Sequence, residues 1–491
     1  MLDKWLDGVE EGWAIPLMLA IFVALWTAYL ALAYVNAGLH PDVLEVWTLG
    51  RAPAWGGLKH PPLMGSVSYL WTFIFPARDW SYQLMAMVNS AVALWMVDLI
   101  TRRYARGDKR VIVLLLLMLL PVYQFEAQRF NANSVLFAVW PLAIYCFMKS
   151  FETRHPAWAV AAGLAAAAAM LGKYYSAFLI AGFVFAAICH PGRRSYFTSS
   201  APWISSGAGL LLLAPHVYWL AANNVGPFDY ALGVHGGMTA GRSFLSGVSF
   251  LLGLIATLAL PLVIWCVMIR SRFSGYLLGL KSLDSGLLLL LLVAIGAVVT
   301  PPIVSVVLKS SLSPVWASPG LFAFVLVAVC AAKFPVDRVE TRRLALGILA
   351  FAMCAVVAAP VHAYYRNTHP YKEGRNYYRL AAQEVTQRWR QLTPEPLKAT
   401  NGEALAMALA FYGSDHPAYL GWQKPTDAQL RAGWATMCLP DEASCLAWSK
   451  QVAAATPGAV SFDFTVQPRL WGQDGVPSQI FAVLIPPPAA K

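Results

Sequence analysis

Apolar stretches long enough to cross a bilayer recur along the first 365 residues of this chain, and no other feature limits the fold so tightly. A spanning helix needs about 20 mostly apolar residues. Eleven stretches approach that pattern: 14–35, 82–100, 111–127, 135–149, 157–172, 175–190, 202–221, 245–270, 286–307, 314–332 and 343–363. Hydrophobic residues make up 58% of the chain and charged ones 12%, against roughly 25% charged in an ordinary soluble domain. No soluble fold of 491 residues hides so much apolar surface, so the bilayer is part of the solvent. The pattern predicts an all-α polytopic membrane domain of about eleven transmembrane helices.

Charge sets the orientation. The loop 101–110 holds five Lys or Arg, and loops 149–156, 191–199, 270–285 and 333–343 hold eleven more. All fall on one side if the N-terminus is cytoplasmic, which is the positive-inside pattern. An odd number of spans then leaves the C-terminus outside. Residues 366–491 are mixed and polar, with turn signals at Pro394, Gly402 and Gly413, and predict a small extracytoplasmic α/β domain. The expected division is therefore 1–365 for the membrane domain and 366–491 for the outer one, with PPPAA near the end as an extended tail. The net charge of +11 does not imply nucleic-acid binding, because the basic residues are spread over short loops. The first apolar run lacks a small-residue cleavage site and reads as a membrane helix or signal anchor. Of seven cysteines, Cys438 and Cys445 lie in the polar C-terminal part, where an oxidising compartment allows a disulfide.

The segment 36–81 is too long for a tight turn and too apolar for a free loop. Its Trp and Tyr content suits short helices at the membrane interface. His40-Pro41-Asp42 has the form of a helix start, with Pro in the first turn and Asp near the positive end of the dipole. Asp42 and Glu45, three apart, share a helix face. A helix cap and a solvated neighbour would account for this pair, but two carboxylates beside a bilayer also admit a functional role. Lys59 and His60 precede two prolines that fix an extended path.

On this topology other polar residues reach the same outer face. Glu126, Gln128, Arg129, Asn131 and Asn133 lie in one loop, and Lys173, Tyr174 and Tyr175 in another. His216 lies near the end of a span, Asp229, His235 and Arg242 in the glycine-rich loop 222–243, and Lys309 after the ninth span. Cations beside apolar helices suit a phosphate whose lipid tail stays in the bilayer, and neighbouring carboxylates can deprotonate a hydroxyl. His60, His216 and His235 with Glu45 match no metal-ligand spacing, so no metal or other cofactor is expected.

The residues Asp42, Glu45, Trp47, Trp55, Gly56, Pro61, Pro62 and Leu63 form a D-x-x-E-x-W-x(7)-W-G-x(4)-P-P-L pattern. It resembles the first outer loop of the GT-C glycosyltransferases. More narrowly, it is similar to the bacterial family 39 branch that includes the lipid A aminoarabinose transferase and the rhizobial galacturonosyltransferases. The stretches 129–142, 170–180 and 213–220 resemble that branch too, and the likeness spans about residues 10–365.

The resemblance implies an inverting transferase in the bacterial inner membrane. Its site and C-terminal domain would face the periplasm. It would move sugar from a polyprenyl-phosphate donor to a periplasmic glycan or glycolipid acceptor such as lipid A or lipopolysaccharide core. Asp42 maps to the catalytic acid of the first loop. A second acid that follows directly in many relatives is Val43 here, which shifts weight to Glu45. Relatives with an Asp near the start of the fourth span meet Asn131 or Asn133. Catalytic residues are thus Asp42 and Glu45. Donor phosphate and sugar contacts are expected from Lys59, His60, Arg129, Asn131, Asn133, Lys173, Tyr174, His216, His235 and Lys309. A lipid transporter or flippase is the rival reading, but no repeated halves are visible and most ionisable groups sit at helix ends.

Overall fold

In a bilayer each apolar run must satisfy its own backbone, and the helix does so within one segment. The computed structural model describes residues 2–370, 375–421 and 425–488, and helices dominate it. Among the described residues, seven helices are long and apolar enough to cross a membrane: Ala14–Ala33, Asp79–Thr101, Ser134–Thr153, Ala201–Ala222, Ala240–Met268, Ser285–Leu308 and Arg338–Thr368. The chain is a multi-pass membrane protein. The other four expected spans are present as shorter helices. Pro156–Gly172, Ala177–Cys189 and Phe322–Cys330 correspond to 157–172, 175–190 and 314–332. The run 111–127 becomes Asp108–Leu117 followed by a short turn of helix at Pro121–Tyr123. Pro121 ends it, because a ring without an N–H cannot continue the ladder.

Two compact units are distinguished. The first comprises 1–26, 54–64 and 84–354, and the second 27–53, 65–83 and 355–491. Within the first, helices meet through small residues, as membrane helices do when apolar surface alone gives no drive to associate. The Ala177–Cys189 and Ser285–Leu308 helices cross at Gly182, where a Cβ would stand 2.6 Å from the Val293 carbonyl oxygen. Pro156–Gly172 and Ala201–Ala222 cross at Gly163 and Gly209, and Ser205 Oγ donates to the Ala159 carbonyl at 2.9 Å. A buried ion pair joins Arg110 and Asp98, with Nη2–Oδ2 at 2.7 Å and Nε–Oδ1 at 3.0 Å.

In the second unit, the interfacial helices expected in 36–81 are Pro41–Arg51 and Leu63–Thr72 (the latter begins in the first unit). They cross at Gly50 and Gly65, where added Cβ atoms would press on Ser68 and Leu49. The expected α/β architecture of the C-terminal part is also present. Strands β1 (Ala399–Asn401), β2 (Ala418–Tyr419), β3 (Trp434–Cys438), β4 (Val460–Val466), β5 (Arg469–Leu470), β6 (Gln473–Asp474) and β7 (Ser478–Ile485) follow in order. The main sheet runs β2-β1-β3-β7-β4. β1 is parallel to β2 and β3, whereas β7 is antiparallel to β3 and β4, with Thr436 opposite Val483 and Phe464 opposite Ile480. β3 is buried along its whole length, as a central strand covered on both faces must be. Trp434, Val452, Phe481, Val483 and Ile485 form the core. The Tyr378–Leu392 helix buries Ala381, Ala382, Val385 and Trp389, the spacing of one helical face. Cys438, at the end of β3, is bonded to Cys445 in the Ala443–Ala455 helix. The PPPAA tail lies partly outside the described residues.

Candidate active site

The Pro41–Arg51 helix starts as its sequence demands, with proline in the first turn and Asp42 beside the open N–H groups. The cap is His40, whose Nδ1 accepts the Asp42 N–H at 3.2 Å. Asp42 Oδ2 also approaches that nitrogen, at 3.8 Å. The Asp42 side chain keeps 35% of its surface exposed. Glu45 is half-buried one turn on. Burial first, then the charges of Glu45 and Glu403, push the Tyr419 phenol up to about 12. Glu45 is therefore close to Tyr419 electrostatically.

The far end of this helix is anchored within the same unit. Trp47 is buried edge-on against Phe411, centroids 5.0 Å apart, and 5.7 Å from the His416 ring. Arg51 lies over Trp47 at 5.2 Å and donates to the His416 carbonyl. The Asp415-His416-Pro417 turn, which has no evident role in the sequence, is the seat of that arginine.

In the first unit, the segment carrying Trp55, Lys59 and His60 meets the short helix Asp229–His235 at Tyr230. Lys59 Nζ stands 5.7 Å from the centre of the Tyr230 ring, and the His60 and Tyr230 rings are 5.8 Å apart. Gly56 is required here, because a Cβ would run into the Trp219 ring. Lys173 Nζ donates to Asn133 Oδ1 at 2.6 Å and lies 5.0 Å from the centre of Trp316. Trp316 also meets His235, at 4.8 Å, whose Nδ1 is 3.3 Å from Ser311 Oγ. Burial, then the charges of Lys59 and Lys173, lower the His60 pKa to about 3. Burial and Lys173 also lower that of His235. Both histidines are thereby biased neutral, and the positive charge rests on the lysines.

His216 is buried between two partners. Its Nδ1 is 2.6 Å from the Trp55 carbonyl oxygen, which only accepts, so Nδ1 carries the hydrogen. In the neutral ring Nε2 then accepts the Tyr174 hydroxyl at 2.9 Å. Tyr174 is fixed as a result, and Phe228 lies 5.9 Å from it. Asn131 is engaged by the backbone. Its Oδ1 accepts the Asn133 and Ser134 N–H groups at 2.8 and 3.1 Å and caps the Ser134–Thr153 helix. Arg129 is half-buried, and its carbonyl accepts Ser134 Oγ at 3.0 Å. Lys309 is exposed and ends the Ser285–Leu308 helix at φ 51°, its carbonyl accepting the Met238 N–H at 2.9 Å.

The structure thus sets Lys59 and His60 on Tyr230, Lys173 and His235 on Trp316, and Tyr174 against His216 and Phe228, with Asn133 on Lys173, all in one unit. Asp42 and Glu45 belong to the other. Sequence reasoning missed Tyr230, Trp316 and Ser311, which hold the cations and histidines; a lone aromatic in an outer loop carries no signal that a cation will cover it. Among the described residues no group of His, Cys, Asp or Glu is arranged to hold a metal ion.

Residues 59–219 match the sequence model of the dolichyl-phosphate-mannose–protein mannosyltransferase family. That is about a third of the chain, beginning at Lys59. Among curated proteins none matches. Among solved structures, ArnT from Cupriavidus metallidurans bound to undecaprenyl phosphate matches 96% of this chain and 98% of its own, at TM-score 0.60 and 14% identity. The chain has the ArnT fold. The same protein in its apo state matches over the same shares at TM-score 0.59 and 14% identity. The expected resemblance to GT-C glycosyltransferases is borne out at the level of the fold, over 96% of the chain.

Proposed function

We propose that this chain is a glycosyltransferase that takes sugar from a polyprenyl-phosphate donor and passes it to a hydroxyl of an extracytoplasmic acceptor. The observation that carries the reading is the Lys59, Lys173 and Tyr174 cluster in a chain with the ArnT fold. Two lysines flank a histidine held neutral, and all are ringed by aromatics. A phosphate with an apolar tail satisfies such a site, because its charge answers the lysines while its chain remains in lipid. The Tyr174 hydroxyl donates to His216, which leaves its oxygen to accept from a sugar hydroxyl.

In the proposed reaction Asp42 takes the proton of the acceptor hydroxyl, and Glu45 orients the acceptor or the sugar. The acceptor oxygen attacks the anomeric carbon in line. The carbon–oxygen bond to phosphate breaks, and polyprenyl phosphate leaves with the electron pair, inverting the configuration. Lys59, Arg129 and Lys173 stabilise the charge that develops on the phosphate, commonly a large part of such catalysis. Asn131, Asn133, His60, His216, His235 and Lys309 complete the donor site in this proposal, with Asn131 acting through the helix it caps. We place the chain in a bacterial inner membrane with residues 366–491 as a periplasmic domain. The Cys438–Cys445 bond supports that side, since disulfides persist in oxidising compartments.

The test is to incubate the full-length protein in detergent with a panel of undecaprenyl-phosphate sugars and candidate glycolipid acceptors. Release of undecaprenyl phosphate, dependent on acceptor, is expected. A flippase releases none, and no release with any donor overturns the proposal.

A further inference from the structure

Between the first spanning helix and the Pro41–Arg51 helix, the backbone of residues 37–39 is gripped by residues from beyond position 370. The Gly38 N–H donates to the Arg375 carbonyl at 2.7 Å, and Arg375 Nε donates back to the Gly38 carbonyl at 3.0 Å. Arg379 Nη2 donates to the Ala37 carbonyl at 3.1 Å. The Leu39 N–H donates to the Tyr412 hydroxyl at 2.7 Å, and that hydroxyl donates to Asp79 Oδ1 at 2.9 Å. Asp79 also pairs with Arg379, so one carboxylate steadies both clamping side chains. Arg375 in turn lies on Tyr34, its guanidinium carbon 3.5 Å from the ring centre. A Cβ at residue 38 would stand 3.0 Å from the Tyr412 oxygen, so glycine lets the clamp close. Burial pushes the Tyr412 phenol well above its ordinary value, which keeps it protonated and able to donate. Immediately after this clamped stretch comes His40, the cap of the helix that presents Asp42.

We propose that Tyr412, Arg379 and Arg375 are positioning residues for Asp42: the C-terminal part of the chain fixes where the catalytic helix begins, and so where its carboxylate stands. This rests on Asp42 being the base. Ordinary fold-holding bonds would also order the loop, but they would not make turnover depend on one phenol at constant donor affinity. A base displaced by about 1 Å loses on the order of a hundredfold in rate.

The test is Tyr412→Phe in the full-length protein, which keeps the ring and removes one acceptor and one donor. Two quantities are read: hydrogen exchange at the Leu39 amide without substrate, and kcat and KM with the undecaprenyl-phosphate sugar that wild type turns over. Faster exchange is expected, with kcat down about tenfold to a hundredfold and donor KM within about twofold. Arg379→Gln carries the same expectation if Tyr412→Phe does not accumulate. Unchanged exchange, wild-type kcat despite faster exchange, or a fall in kcat matched by a rise in KM each overturns the proposal. Failure of wild type to turn over any donor instead overturns the functional reading, and the exchange measurement separates the two because it needs no substrate.

Discussion

Asp42 and Asp79 both belong to the second unit and each stands in the first turn of a helix, yet the molecule treats them differently. Asp79 is saturated: Arg379 pairs with it, Tyr412 donates to it, and 19% of its side chain is exposed. Asp42 follows a histidine cap that uses its lone pair on the backbone, and 35% of its side chain is exposed. A carboxylate pressed between an arginine and a phenol has little left for a substrate. Asp42, partly exposed at a capped helix start beside half-buried Glu45, keeps more of its surface within reach of a substrate. Helix-start position alone does not distinguish a structural acid from a chemical one, whereas the surface left open on the carboxylate does.

The sharpest way to break the comparison is Asp42→Asn. Turnover is expected to fall by about 10²–10⁴-fold, the usual contribution of a positioned base, with the melting temperature unchanged. Wild-type turnover would remove Asp42 from the mechanism. Asp79→Asn should act chiefly on stability, with turnover lowered only as far as the Tyr412 and Arg379 clamp loosens. It keeps an acceptor for Tyr412 but leaves Arg379 without its counter-charge. A loss of about 1–2 kcal/mol in stability is expected, discounted for the solvent that still reaches the pair, and is measured as a lower melting temperature. If Asp79→Asn abolished turnover while leaving stability intact, the roles assigned to the two acids would be exchanged.

A smaller effect concerns His60. Its pKa is lowered to about 3 by burial and two lysines. Below the ordinary histidine value of about 6.5 the unfolded chain binds a proton that the folded chain refuses, so stability falls as pH drops from there towards 3. The melting temperature of wild type should therefore fall more between pH 6.5 and pH 4 than that of His60→Asn. Parallel curves would show that the ring is not held neutral.

How much of this is readable in the sequence depends on the range of the interaction. The apolar runs are local, and most form helices where expected. Among the exceptions, 314–332 forms an α-helix only over Phe322–Cys330, and 111–127 breaks before Pro121, whose ring outweighs the apolar residues around it. The helix start at Pro41 is legible from proline and Asp42, but its histidine cap is not, since Ser, Thr, Asp and Asn are the usual signals. Asn131 and Asn133 differ by two positions and are alike in type. Only the fold shows that one caps a helix while the other holds Lys173. The Tyr412 clamp joins residues 373 positions apart, and no pattern in either segment announces it.

The sulfur bond at the end of β3 gives this chain a built-in record of which way it was inserted. Cys438 and Cys445 join only where thiols are oxidised, and a molecule threaded backwards would keep both reduced. On the proposed periplasmic placement of the C-terminal sheet, alkylating denatured protein before and after a reductant therefore counts the molecules inserted that way: theirs are the two thiols that appear only after reduction.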